Sequence, residues 1–330
     1  MGLGPHPQLS GVALNLLRNK RNVALDLKAP AGREAVLAIA ATCDVFVTNL
    51  RPGPLARLGL TYEDVRAVRE DVVFCQAAGF SVESGRADDP AYDDIVQAAS
   101  GAADVVRRAS PDGDPPALFP TILADKVSGL TLTYAILAAL FERERSGLGQ
   151  FVEVPMVDAV SAFLLVEHGS PHRRPQRSLD GWIQVFPYTQ EHYDALFAAS
   201  GREDLVGDER LATTRSRAAN SELLYGTLES IISARTTEEW LAFCAEHAIP
   251  AAAMADLDDL VDALPDAVHP VAGPYKSVPP PVRFSRSAST VRRPAPLVGE
   301  HNREVLREVG LDDAAIDALE SSGTLRSQPA

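Results

Sequence analysis

The sequence predicts an α/β protein, a doubly wound parallel sheet accompanied by a smaller α/β unit. Three observations carry this expectation. Between residues 22 and 80, short apolar stretches alternate with helical patterns in the order β-α-β-α-β, the order in which parallel strands are connected. A lone acid, Asp125, then heads a helical segment whose fifteen uncharged residues, Val127 to Phe141, have the length of a core helix rather than of a membrane span. After the polar linker "SPHRRPQRSLD" the texture changes, and a second set of elements runs from Gly181 to about Leu264.

Taken in order, "NVALDLK" alternates Val23, Leu25 and Leu27 as a strand does, and "APAGREAVLAIAATC" continues as a helix with Pro30 in its first turn, where the missing N–H is not needed. "DVFVTNL" is a short buried strand. "TYEDVRAVRE" opens a helix with Thr61 three residues before Asp64, a capping-box spacing, and "DVVFCQAAGF" is the next strand. The helix from Asp125 carries Leu130, Tyr134, Leu137 and Phe141 on one stripe and Ile136 and Leu140 on another, so burial on more than one side is expected. Arg143, Arg145 and Gly147 supply its stop signals. "QFVEVPM" reads as a strand and "VDAVSAFLLVEHG" as a helix ended by Gly169. The second unit has a strand "WIQVFP", a helix from His192, and a capping box, Thr236 to Glu239, opening "TTEEWLAFCAEHAIP". Pro-rich "SVPPPVRFS" closes it, and "GEHNREVLREVG" and "LDDAAIDALESSG" form two short amphipathic helices.

With 330 residues, 46% of them hydrophobic, the chain can bury a large core. Its formal charge of −14 argues against nucleic-acid and anionic-membrane partners. Cys43, Cys75 and Cys244 stand far apart without CxxC spacing, the pattern of reduced thiols, and no basic-then-apolar leader opens the chain; a cytoplasmic protein is expected. His168 and His172 are four apart, but Gly169 and Pro171 between them deny a shared helical face, so no metal site is expected. The absence of HExxH, GxSxG and a Walker A loop removes the zinc hydrolase, serine hydrolase and NTPase readings.

Open α/β sheets bind ligands beyond the carboxyl ends of their strands, which singles out Asn49 at the end of "DVFVTN". Between Arg18 and Arg57 stand seven Lys/Arg residues against three acids, a pattern that suits a phosphate-bearing ligand and equally a solvated basic face. Arg57, after "RPGP", reads as a bidentate phosphate clamp or as a surface helix charge. Lys28 closes a strand and either meets the ligand or faces water, and Asn49 either contacts it or caps a turn. Asp125 by residue type alone is most simply an N-cap.

The segments "NKRNVALDLK", "VTNLRPGPLARLGL", "YDDIVQAASG", the Asp125 segment, "GLGQFVEVPMVDAV" and "RRPAPLVGEHNREVL" occur in one order from about Asn15 to the C-terminus, and together they resemble the class III CoA-transferases, the family of formyl-CoA, carnitine and succinyl-CoA-dependent transferases (CaiB/BaiF-like). The resemblance implies an interlocked homodimer. It also implies a Rossmann-like large CoA-binding domain over 1–177, a small α/β domain over 178–270, and a 271–330 segment that returns to the large domain. It further implies that coenzyme A and acyl-CoA are substrates, that a carboxylic acid is the acceptor, and that no metal takes part. Carried over by position, Asp125 resembles the nucleophilic aspartate, Leu25, Lys28, Asn49 and Arg57 the CoA contacts, and Tyr92 and Asp93 the acyl pocket, where a buried structural tyrosine is the other reading of Tyr92.

In the chemistry this implies, Asp125 attacks the thioester to give a mixed anhydride, CoA thiolate converts it to an aspartyl-CoA thioester, and the acceptor carboxylate attacks that thioester. The helix N-terminus is expected to keep Asp125 ionised. The sequence also departs from the family pattern. A further strand, helix and strand normally precede "NK", the consecutive-glycine loop has no equivalent in "HGSPHRRPQRSLD", and Pro90 replaces a lysine. Two alternatives accompany the transferase. One is epimerisation of the kind catalysed by the related α-methylacyl-CoA racemases, for which Tyr92 stands where their basic histidine lies and is a poor base near neutral pH. The other is a truncated, inactive family member acting as a dimer partner.

Overall fold

The computed structural model describes residues 5–109, 114–167 and 174–326, which fall into two compact units. Among the described residues the first unit holds 5–106, 116–167 and 263–326, and the second holds 107–109, 114–115 and 174–262.

The first unit is built on a parallel three-stranded sheet, β1 (Val45–Thr48), β2 (Val73–Gln76) and β3 (Gln150–Glu153), in that spatial order and with Phe46 beside Phe74 beside Phe151. The period of two sends alternate side chains to opposite faces. Phe46, Phe74 and Phe151 line one face, with ring centroids 5.1 and 5.8 Å apart along the row, under the helices Pro30–Ala40, Pro52–Leu58 and Tyr62–Val68. Val45, Val73, Cys75 and Val152 line the other, under Leu132, Ile136, Ala139 and Leu140 of the long helix Leu123–Ser146. All four residues of β2 are buried, as a central strand covered on both faces must be. The capping box at Thr61 and Asp64 forms, with the Asp64 carboxylate accepting from the Thr61 amide at 2.9 Å.

Two expectations are corrected. "NVALDLK" is not a full strand. It is extended, but its pairing is reduced to an isolated bridge, Leu25 opposite Leu325, with the Asp26 amide donating to Thr324 O and the Arg326 amide to Ala24 O. Its partner is thus the C-terminal segment, whose helices Asn302–Glu308 and Asp313–Ser321 pack Leu306, Ile316 and Leu319 against Ala35 and Ile39. From Leu130 onward the long helix buries only one side, while Leu123 and Val127 in its first turns pack with Val96 and Val160. Ile136 and Leu140 meet the sheet, whereas Leu130, Tyr134, Leu137 and Phe141 are each 61–70% exposed. By length and composition alone this helix could cross a membrane. A hairpin, Asp266–His269 with Gly273–Lys276, follows the second unit in the chain.

The second unit has an antiparallel sheet of β4 (Gln176–Arg177), β5 (Trp182–Val185) and β6 (Ala251–Ala253), in that order. Helices Gln190–Ala198, Ser221–Ile232 and Thr237–Glu246 enclose a core centred on Trp240, whose Nε1 donates to Ile232 O at 2.8 Å. The capping box at Thr236 and Glu239 is present.

Candidate active site

Asp125 sits in the first turn of Leu123–Ser146, at the third helical position. The N-cap residue, Ile122, has no side chain able to accept a hydrogen bond, so the free amides of that turn need a partner from elsewhere. The Asp125 amide finds one in Asp93 Oδ1 at 3.0 Å, across from the start of the helix Asp93–Ala99. Asp93 is buried, and its other oxygen accepts from Gln97 Nε2 at 2.6 Å. The Asp125 carboxylate is exposed and has no hydrogen-bond or ion-pair partner among the described residues.

That carboxylate opens into a cleft of about 620 Å³ lined by Asn49, Arg51, Tyr92, Asp93, Asp94 and Asp125, with Leu50, Pro54, Ile122 and Met156 as its apolar wall. Gly79 lies on the same wall because a Cβ there would come within 2.2 Å of the Ala91 methyl, so the 90–92 segment closes in only over a glycine. A second cleft, of about 590 Å³, is lined by Leu27, Lys28, Pro30, Arg33, Arg57 and Leu58. Pro54 borders both. Arg33 is committed to Gly59 O at 2.8 Å and to Asp64 at 3.3 Å, but the side chains of Lys28 and Arg57 are exposed and without ion-pair partners among the described residues.

The structure therefore gathers Asn49, Tyr92, Asp93 and Asp125 at one cleft and Lys28 and Arg57 at the other. Leu25 joins neither. Its bridge to Leu325 turns it among Ala35, Leu306 and Ile316, beside a separate apolar hollow, and Leu27 is the leucine that lines the basic cleft. Tyr92 is 81% exposed, which removes the buried structural role. His168 and His172 lie outside the described residues, as does the first part, 168–173, of the stretch "HGSPHRRPQRSLD". Gln97 and Arg51 were not singled out from the sequence; the i, i+4 spacing of Gln97 from Asp93 was the available signal.

The Asp125 carboxyl is also electrostatically perturbed. It is raised above the ordinary aspartate value, first by the partial desolvation that the cleft walls impose on an otherwise exposed side chain and then by the negative charge of Asp93. An attacking carboxylate must be ionised, so turnover is expected to fall off on the acid side at a pH above the usual aspartate value of about 3.9. Asp93→Asn removes the charge and leaves the burial. The acid limb of kcat/KM should then move to lower pH, and a pH–rate profile showing an unmoved or raised limb would contradict this account.

Comparison with known proteins shows the family of the chain. The sequence profile of CoA-transferase family III matches residues 2–302. Succinyl-CoA:glutarate CoA-transferase of Mus musculus is 28% identical over 94% of this chain and 77% of its own length. A crystal structure of Rv3272 from M. tuberculosis is 29% identical with a TM-score of 0.75, covering 86% of this chain and 83% of that one. A CAIB/BAIF family protein from Brucella suis is 26% identical with a TM-score of 0.72, covering 91% and 84%. The chain belongs to CoA-transferase family III, and it is a CoA-transferase.

Proposed function

We propose that the chain moves coenzyme A from an acyl-CoA to a free carboxylic acid through a covalent intermediate on Asp125. The observation that carries this reading is the Asp125 carboxylate, unpartnered among the described residues, in a cleft that shares Pro54 with a second cleft carrying two cations, Lys28 and Arg57, likewise without ion-pair partners among the described residues. A CoA thioester has the matching layout, phosphates at one end and a reactive carbonyl at the other.

An Asp125 oxygen attacks the thioester carbon, the C–S bond breaks, and CoA leaves as thiolate from the mixed anhydride. The thiolate then attacks the Asp125 acyl carbon and releases the donor acid as its carboxylate. The acceptor carboxylate attacks the aspartyl thioester and again frees thiolate, which takes the acceptor acyl group and restores Asp125. Asn49 and Arg51 stand beside this path. Lys28 and Arg57 hold the nucleotide phosphates.

The exposed stripe of Leu130, Tyr134, Leu137 and Phe141 supports a homodimer, in which a second copy covers it. A lipid partner suits it less well, because the same helix carries Arg143 and Arg145 in its last turn, and Arg143 pairs with Asp44 at 2.9 Å. The three cysteines are free thiols, which supports a cytoplasmic setting.

The test is to incubate the protein with succinyl-CoA and a series of carboxylic acids, glutarate among them, in deuterated water. Transfer predicts new acyl-CoA without deuterium at the α-carbon. Deuterium incorporation without transfer would favour epimerisation, and neither signal would favour an inactive partner. Arg57→Ala should raise the acyl-CoA KM about tenfold while kcat changes little, as loss of one phosphate contact does. An unchanged KM would remove Arg57 from the site.

A further inference from the structure

The buried face behind Asp125 holds one side chain whose polar atoms are all committed to the parts that place the nucleophile. Gln97 is fully buried in the helix Asp93–Ala99. Its Nε2 donates to Asp93 Oδ2 at 2.6 Å and to Thr121 O at 3.1 Å, and its Oε1 accepts from the Phe119 amide at 2.9 Å. Asp93 in turn accepts from the Asp125 amide at 3.0 Å. One amide side chain thus grips the 119–121 segment that leads into the nucleophile helix and the carboxylate that caps that helix. The apolar contacts of Val96, Ala124, Val127 and Val160 pack the surrounding helices together, the first turn included. The polar chain Gln97–Asp93–Asp125 adds directional hydrogen bonds to that packing.

We propose that Gln97 is a positioning residue for acyl transfer: through Asp93 and the 119–121 backbone it fixes where the Asp125 carboxylate points and keeps the Asp93 charge turned toward it. This rests on the reading of Asp125 as the nucleophile. An error in aim of the order of 1 Å at a reacting atom lowers the rate by about 10²-fold, so the effect is expected in kcat rather than in acyl-CoA affinity. The first turns of the three packed helices carry Asp93 and Asp94, Asp125 followed by Lys126, and Asp158; the cations facing this negative charge are Lys126, whose Nζ donates to Thr121 Oγ1, and Arg51, which lines the same cleft.

Two variants test the proposal. Gln97→Met removes both donors and the acceptor at similar length, and is expected to lower kcat 10- to 100-fold with the acyl-CoA KM within twofold of wild type. Gln97→Glu places a carboxylate oxygen against Asp93 Oδ2 and Thr121 O, which repel it while it is ionised, whereas its protonated form can donate to Asp93. Its kcat relative to wild type should therefore rise at least threefold as the pH is lowered from 7.5 to 5.5, while the Met variant's ratio stays flat. Packing alone would produce no such slope. A Met variant turning over within twofold of wild type, or a Glu variant with a flat ratio, overturns the proposal. Should the Met variant not fold, the slope of the Glu variant decides alone. Failure of the underlying reading is separate, because it appears in the wild-type protein as an Asp125 that acyl-CoA leaves unmodified.

Discussion

Asp125→Asn is expected to abolish CoA transfer, with turnover reduced on the order of 10⁴-fold or more, because the amide keeps the shape of the carboxylate and cannot attack a thioester. Acyl-CoA binding should survive, since Lys28 and Arg57 lie at the other cleft. The same variant is expected to be more stable than wild type near neutral pH. Asp125 has a folded-state pKa above its unfolded value, so the native state binds the extra proton, and stability is full below the unfolded value and declines as pH rises through the folded one. The melting temperatures of Asp125→Asn and wild type should therefore coincide in acid and separate, variant above wild type, as the pH rises. Partial desolvation in the cleft and the Asp93 charge together disfavour the ionised form in the folded state. Equal melting temperatures at neutral pH would contradict this.

Gly32→Ala is the second large effect, and it runs against propensity. In a helix interior, alanine is ordinarily favoured over glycine by about 1 kcal/mol. Here a Cβ on residue 32 would lie 2.1 Å from the carbonyl oxygen of Asp26 and 3.2 Å from the Thr324 methyl, and a backbone carbonyl cannot swing aside as a side chain does. The Asp26 segment is held from the far side by its bond to Thr324 O, so the helix Pro30–Ala40 must move away from it. Overpacking of this kind costs roughly 1–3 kcal/mol, and the upper end is expected, a melting temperature lower by about 5–10 °C. Lys28 is tied to the same turn, its amide donating to Asp26 Oδ1 at 3.0 Å, so the acyl-CoA KM should rise as well. A calorimetric scan and a KM measurement check both, and an alanine variant as stable as wild type would contradict the close approach.

What could be read from the sequence was what neighbouring residues decide. The capping boxes at Thr61 and Thr236 involve groups three residues apart, and both form. Pro30 and Gly147 mark the ends of their helices for equally local reasons, the proline at the first turn and the glycine in a left-handed C-cap. The strand expected at Val23–Leu27 shrank to a bridge because its partner is Leu325, a pairing that alternation cannot reveal. The helical period exposed two stripes on Leu123–Ser146 but could not say which one the sheet would take. Asp125 was legible as a helix-start acid within a family motif. The partner of its amide was not, since Asp93 stands 32 residues earlier and caps the helix in place of Ile122. That distant charge, after desolvation in the cleft, adds to the upward shift of the Asp125 pKa, which a local argument from the helix terminus does not include.

Trapping the covalent species tests the central claim most directly. The protein is incubated with succinyl-CoA, quenched with hydroxylamine, digested, and its peptides are mapped by mass spectrometry. The account predicts a hydroxamate on Asp125, absent without acyl-CoA and absent from Asp125→Asn. Transfer that proceeds at full rate while Asp125 remains unlabelled would contradict it.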